Sequence, residues 1–278
     1  KKGKRISVSE EDSIKYYSLS GSKNSKKDHL PIDYSKVFGL SLKKYSEKYK
    51  DLLCITAAME IGTGMSPFIE KYPDRYVDVG IAEEHAVTYA AGLSAAGFKP
   101  IIPIYSTFMQ RAYDHILHDA LLQKLPLIYC MDRAGVVGAD GPTHHGVFDL
   151  SFMSSLPGMI VSAPKDGNEL RNLIETALNS KKNFSIRYPK DTSRKYNEKK
   201  SVEILEVGSW EILNTGTESA ILAVGSMVGM ILDAKKVIYS ELGYLPTIIN
   251  ARFIKPLDDK MLIDICKNHT NIITIEEG

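Results

Sequence analysis

The sequence predicts an α/β protein made of two doubly wound, mainly parallel-sheet domains. Short apolar runs of strand length alternate with stretches of helical periodicity along almost the whole chain. One of those runs, Leu125–Met131, is apolar throughout, the pattern of a strand buried on both faces. The alternation breaks at a charged stretch, 190–201, and then restarts. With 278 residues there is room for one large or two ordinary domains, each able to bury a core.

Residues 1–33 are polar and irregular, with Ser20–Lys27 at their centre, and have the composition of a linker or extension. A first domain is expected over 34–192. Val37–Tyr49 has the spacing of an amphipathic helix, with Val37, Leu40 and Leu42 on its apolar side. Asp51–Ala57 reads as a strand, Gly62-Thr63-Gly64 as a loop and Met65–Tyr72 as a helix. Tyr76–Gly80 is a short strand, followed by an Ala- and Gly-rich helix over 83–96, a composition that packs closely. A strand over Lys99–Tyr105 leads to one helix over 107–123 with Ala112, Ile116 and Ala120 inward. After the Leu125 strand come a glycine-rich loop, a strand at Met159–Ser162, a helix at Gly167–Ser180 and a strand at Phe184–Tyr188. Residues 193–217 read as linker and β entry. A second unit over 218–278 continues with helices at 228–242 and 258–268 and strands at 247–250 and 272–276. Its lack of a closing helix leads us to expect a truncated domain.

Composition excludes several classes of function. A net charge of +1 argues against nucleic acid or an anionic membrane as partner. No apolar run approaches the roughly 18 residues of a membrane helix. The basic N-terminus has no apolar region after it, so it is not a secretory signal. Cys54, Cys130 and Cys266 form an odd set without a CxxC, which fits a reducing compartment.

The loop 132–148, DRAGVVGADGPTHHGVF, is the most informative stretch. Gly135, Gly138, Gly141 and Gly146 let the backbone turn sharply, and Arg133, Asp140, His144 and His145 are set among them. Open α/β sheets place ligands where such a loop leaves a strand, although Asp140-Gly141-Pro142 is also ordinary turn chemistry. The spacing matches neither GxGxxG nor a P-loop. Glu83 and Glu84 lie where a strand hands over to a helix; periodicity does not choose between them, and acidic residues are common in a first turn. Tyr105 and Phe108 end the next strand. Arg111 aligns with His115 and His118, which a solvated face also explains. A metal at His115 and Asp119 lacks a third ligand, so no metal site is expected. Arg133 and Arg187 lie at the same sheet edge, which suits a phosphate monoester.

In combination, YSKVFG (34–39), DVGIAEEHAVTYAAGL (78–93), PIYSTFMQRAYD (103–114), DRAGVVGADGPTHHGVFDL (132–150), IRYPK (186–190) and RFIKPLD (252–258) resemble the 1-deoxy-D-xylulose-5-phosphate synthase family of the transketolase superfamily. The resemblance covers nearly everything from Tyr34 onward and implies a pyrimidine-binding domain followed by part of a C-terminal transketolase domain. It implies a transferase that uses thiamine diphosphate to join pyruvate to D-glyceraldehyde 3-phosphate with loss of CO2, at the start of the methylerythritol phosphate route to isoprenoids. Glu83 would hydrogen-bond the cofactor's aminopyrimidine nitrogen, with Phe108 and Ile81 completing the cofactor contact. Tyr105, Arg111, Asp140 and His144 would line the substrate side and move protons, and Arg133 and Arg187 would hold the phosphate. Mg²⁺ is implied as well, with ligands in an N-terminal domain whose Gly-Asp-Gly…Asn motif this sequence lacks, so the chain alone is expected to be inactive. The family further implies a homodimer, in a bacterial cytoplasm or a plastid-type organelle. A β-type subunit of a two-chain 2-oxo-acid dehydrogenase or split transketolase is the nearest alternative, and a non-catalytic sugar-phosphate-binding module another.

Overall fold

The computed structural model describes residues 32–278. The linker expected over 1–33 therefore lies outside the described residues except for its last two. These two are integrated: Asp33 bridges Thr192, and Ser193 N–H donates to the Ile32 carbonyl at 2.8 Å.

Helix α1 (Tyr34–Lys48) leads to β1 (Leu52–Thr56), α2 (Ser66–Lys71), β2 (Tyr76–Asp78) and α3 (Glu83–Ala95). The α1 face that packs inward carries Tyr34, Val37, Phe38 and Tyr45; Leu40, expected there, is half-buried. Strand β3 (Lys99–Tyr105) runs into a segmented helix where one regular helix was expected. The segment comprises α4 (Ser106–Met109), a 3₁₀ turn at 110–112, α5 (Tyr113–His115) and a π turn over 116–121. Ala112, Ile116 and Ala120 are buried, as their spacing predicts. Two steps of four residues drift by about 80° in a 3.6-residue helix, and the wider π turn offsets that drift.

Strand β4 (Ile128–Asp132), helix α6 (Asp149–Ser155), β5 (Ile160–Ser162), α7 (Gly167–Ser180) and β6 (Phe184–Arg187) complete the first set of elements. A small unit follows: β7 (Glu211–Asn214), β8 (Ser219–Ala223), α8 (Met227–Leu242), β9 (Thr247–Asn250), β10 (Phe253–Lys255), α9 (Asp259–Asn268) and β11 (Asn271–Ile275). Within the linker and β entry expected over 193–217, a strand forms only at Glu211–Asn214.

The large sheet has the order β10-β5-β6-β4-β3-β1-β2 and is parallel except for β10. Helices cover both faces. Ile101, Cys130 and Ile186 pack with α1 and α7, while Ile102, Tyr129 and Met131 pack with α3 and the segmented helix. The small sheet has the order β11-β8-β9-β7, with β7 antiparallel. Strand β10 leaves the small unit and pairs antiparallel with β5, so the two sheets are joined by backbone as well as by side chains. Buried Glu169 on α7 accepts from Asn250 Nδ2 at 2.8 Å and from Arg252 Nη1 at 3.4 Å. Burial raises the Glu169 carboxyl pKa above the ordinary carboxylate value, although Lys165 and Arg252 oppose the shift. No described helix is long and apolar enough to cross a membrane.

Candidate active site

The candidate residues gather at the carboxyl ends of the parallel strands. At the end of β2, the Asp78 carboxylate accepts from the Ala58 and Gly80 amides at 2.8 and 2.9 Å and holds the turn into α3. The first turn of α3 then carries Glu83 and Glu84. Helix α3 buries Glu83, Ala86, Val87, Ala90 and Ala91, a stripe of small side chains that lets it lie close on the sheet. Glu83 heads this stripe and is 2% exposed; the Glu84 side chain is 37% exposed. Of the two, Glu83 is the one the fold buries. Arg111 Nη1 donates to Glu83 Oε2 at 2.8 Å, so Arg111 is a partner of this carboxylate, and its Nε lies 3.7 Å from Glu84.

Strand β3 delivers Tyr105 beside Asp132 at the end of β4. Tyr105 and Phe108 stack at 5.7 Å between ring centroids, and the His144 ring meets Phe108 edge-on at 5.3 Å. Arg133 has φ +60° and lies over the Tyr105 ring with Cζ 3.7 Å from its centroid. Its Nη1 donates to the Gly62 carbonyl at 2.8 Å and its Nε to Asp140 Oδ2 at 3.1 Å. The glycine at position 62 is required here, since a Cβ would collide with the Tyr105 hydroxyl. Lys190 forms a second ion pair with Asp140. Burial opposes ionisation of Asp140, but its bonds to Lys190 and Arg133 prevail and hold its carboxyl below the usual range. Burial pushes the Tyr105 phenol up to about 12 against the pull of Arg133.

Asp132 lies beneath this cluster, fully buried. It accepts from Ser35 Oγ at 2.6 Å and faces Arg133 Nη1 at 3.3 Å. Burial raises its carboxyl to about 6, with Arg133 and Ser35 resisting the shift. Arg187 is also buried, donating from Nε to Asp149 Oδ2 at 2.8 Å and from Nη2 to the Glu277 carbonyl at 2.6 Å. Both arginines read as phosphate ligands thus have protein partners.

Tyr105, Phe108, Arg133, Asp140 and His144 are brought together in one cluster. Glu83 and Arg111 form a pair joined to it through the segment 106–112, and Arg187 stands with Asp149 and Glu277. Ile81 is 77% exposed and belongs to none of these groups. Sequence reasoning missed Asp132, Lys190, Asp149 and Glu277. The first three lie inside the quoted motifs, whereas Glu277 had no local signal.

The pyrimidine end of thiamine diphosphate fits these residues: a buried carboxylate at a helix head and a half-buried aromatic pair. Among the described residues no group of three or more His, Cys, Asp or Glu could hold a metal ion. His118 pairs with Asp114 at 2.9 Å, and Asp119 accepts from Thr88 at 2.5 Å. A cavity of ≈330 Å³ lies elsewhere, lined by Lys165, Glu169, Arg194, Glu211, Gly229 and Arg252, and all its acidic residues named here are paired with basic ones.

The fold and this arrangement define a class. The chain belongs to the transketolase family: residues 31–195 match the transketolase pyrimidine-binding domain, and residues 208–278 match the transketolase C-terminal domain. More narrowly, it is similar along its whole length to bacterial 1-deoxy-D-xylulose-5-phosphate synthases. It is 49% identical to that of Dictyoglomus thermophilum and 44% identical to those of Dehalococcoides mccartyi and Aquifex aeolicus. The chain spans 43–45% of the length of these relatives. Among solved structures, a chain described as a split gene transketolase, inactive beta4 tetramer, matches with TM-score 0.78 and 26% identity, over 88% of this chain and 78% of that one. A Pichia stipitis transketolase mutant matches in fold with TM-score 0.76 at 18% identity, over 90% of this chain and 39% of that one.

Proposed function

We propose that this chain forms the pyrimidine-side half of a thiamine-diphosphate-dependent synthase that joins pyruvate to D-glyceraldehyde 3-phosphate, releasing CO2 and 1-deoxy-D-xylulose 5-phosphate. The observation that carries this reading is Glu83, a buried carboxylate held at a helix head in a domain of the pyrimidine-binding family. The relatives named above support the choice of reaction. When bound, thiamine diphosphate supplies the electron sink for decarboxylation.

Glu83 would hydrogen-bond a ring nitrogen of the cofactor's aminopyrimidine, and Arg111 would fix the orientation of that carboxyl group. Phe108 would give the ring an aromatic surface, and the exposed Ile81 would be a further cofactor contact. Tyr105, Arg111 and His144 orient the pyruvate carboxylate and move protons at the carbonyl oxygens. Asp140 holds a hydroxyl group of the aldehyde, and Arg133 and Arg187 hold its phosphate. The metal-diphosphate end of the cofactor is bound by a segment outside these 278 residues, so the chain by itself does not turn over. Ile61, Ile81, Val136 and Phe148 are exposed apolar residues that a covering segment or a second copy would bury.

The test supplies a diphosphate-binding half from a full-length relative, in trans or fused, together with thiamine diphosphate, Mg²⁺ and both substrates. Deoxyxylulose phosphate should form with the wild-type chain and fail to form with Glu83→Ala. No product from a folded assembly that binds the cofactor would refute the synthase. It would favour a β-type subunit of a split transketolase, a reading supported by the 78% of the split-gene chain that this chain covers.

A further inference from the structure

Two consecutive amides of the glycine loop are held by side chains. Val137 N–H donates to His145 Nδ1 at 2.9 Å, within the loop itself. Val136 N–H donates to Glu277 Oε1 at 3.0 Å, and Glu277 comes from the small unit, just beyond β11. The other carboxylate oxygen accepts from Ser226 Oγ at 3.2 Å, at the head of α8. Close approach depends on Gly135, whose φ is +79° and on which a Cβ would stand 2.5 Å from Glu277 Cδ. Gly135 and Gly146 exchange two backbone hydrogen bonds of 2.8 Å, so the limb that Glu277 grips is continuous with both ends of the loop. Arg187, from the end of β6, secures the Glu277 carbonyl.

We propose that Glu277 is a positioning residue. From the small unit it fixes the limb Gly135–Val137 and, through the neighbouring Arg133, the grip on the phosphate of the aldehyde. The functional half of this statement rests on the synthase reading above. The physical basis is that a carboxylate-to-amide bond is charge-assisted and that a loop with four glycines has little stiffness of its own. A site loosened in this way loses the geometry on which orientation of a substrate depends.

The first readout is amide hydrogen exchange in the 278-residue chain. Glu277→Ala should raise exchange at Val136 about tenfold, the loss of one charge-assisted bond, while β4 and β5 exchange as in the wild type. Glu277→Gln keeps an acceptor oxygen but not the charge and should raise exchange by less than Glu277→Ala; Ser226→Ala, which removes only the support of the carboxylate, should also give an intermediate rise. Unchanged exchange at Val136 in folded Glu277→Ala or Ser226→Ala overturns the tether.

The second readout is the KM of the reconstituted assembly. Glu277→Ala should raise the KM for D-glyceraldehyde 3-phosphate about tenfold and leave those for pyruvate and unphosphorylated D-glyceraldehyde within about twofold, with Glu277→Gln raising the first by less. Equal shifts for all three substrates, or none, overturn the positioning role. Failure of the wild-type assembly to make product refutes the synthase reading, and the exchange readout then still decides the tether.

Discussion

The head of α3 and the loop 132–148 are both candidate ligand-binding regions, yet they are held in place by different means. Glu83 is fixed by regular structure. It lies on the buried stripe of a helix packed on a sheet, and a single side chain, Arg111, completes its setting. The loop has a backbone pair between Gly135 and Gly146, a backbone bond from Ala134 to Tyr188 and local turns at Val137–Gly141 and Gly141–His144, and beyond these it depends on side-chain ties. Arg133 reaches Gly62, Asp140 and the face of Tyr105; Lys190 holds Asp140; His145 caps Val137; Glu277 grips Val136. The carboxylate at the helix head thus depends on one side-chain partner, whereas the loop depends on several, each holding a different part of it.

The largest effect that would sharpen this contrast is expected from Arg133→Ala. Arg133 is 8% exposed and faces the buried Asp132, so its removal strips that carboxylate of its cation. Stability should fall by about 3–5 kcal/mol, measured by denaturant unfolding, the usual cost of breaking a buried pair from one side. A loss below about 1 kcal/mol would show that the loop does not depend on this residue.

The second effect is one of pH. Burial lifts the Asp132 carboxyl from 3.8 to about 6, so the folded protein favours its protonated form. That contribution to stability is greatest below pH 3.8 and is lost as the pH rises through about 6. Asp132→Asn has no such loss. The stability difference between wild type and variant should therefore shift toward the variant by about 3 kcal/mol across that window, as read from unfolding at a series of pH values. Parallel pH profiles would contradict the assignment.

The smallest effect is expected from Lys190→Ala. Its partner Asp140 is already bonded to Arg133, and the lysine side chain is 38% exposed. Stability should fall by no more than about 1 kcal/mol, while amide exchange across 136–145 rises. An unchanged loop would remove Lys190 from the set of ties.

The same contrast explains what could be read in the sequence. Apolar strands and helical spacings announced the parallel sheet and its two helical layers, because each of those elements carries its own pattern. The loop's chemistry was visible as Arg133, Asp140 and His144 set among glycines. Glu83 could not be separated from Glu84, since Ala86 and Ala90 on one side and Val87 and Ala91 on the other look equally apolar; only packing on the sheet decides. The segmented helix after β3 was hidden because its inward residues keep a four-residue spacing that a regular helix also suggests. Strand β10 was hidden because Phe253–Lys255 pairs with a strand about ninety residues earlier. Glu277 could not be found by local reasoning, as its partner Val136 lies 141 residues away.

In the proposed function the two regions serve different ligands: Glu83 the cofactor, and Arg133 of the tethered loop the phosphate of the aldehyde. The most direct measurement compares Glu83→Gln with Arg133→Lys in the reconstituted assembly, titrating thiamine diphosphate and D-glyceraldehyde 3-phosphate separately. Glu83→Gln should change the dependence on thiamine diphosphate and the maximal rate while leaving the KM for the aldehyde in place. Arg133→Lys, which keeps the charge but loses the planar fork, should do the reverse. If both substitutions disturb both titrations alike, the two regions act as one and the division of labour proposed here is wrong.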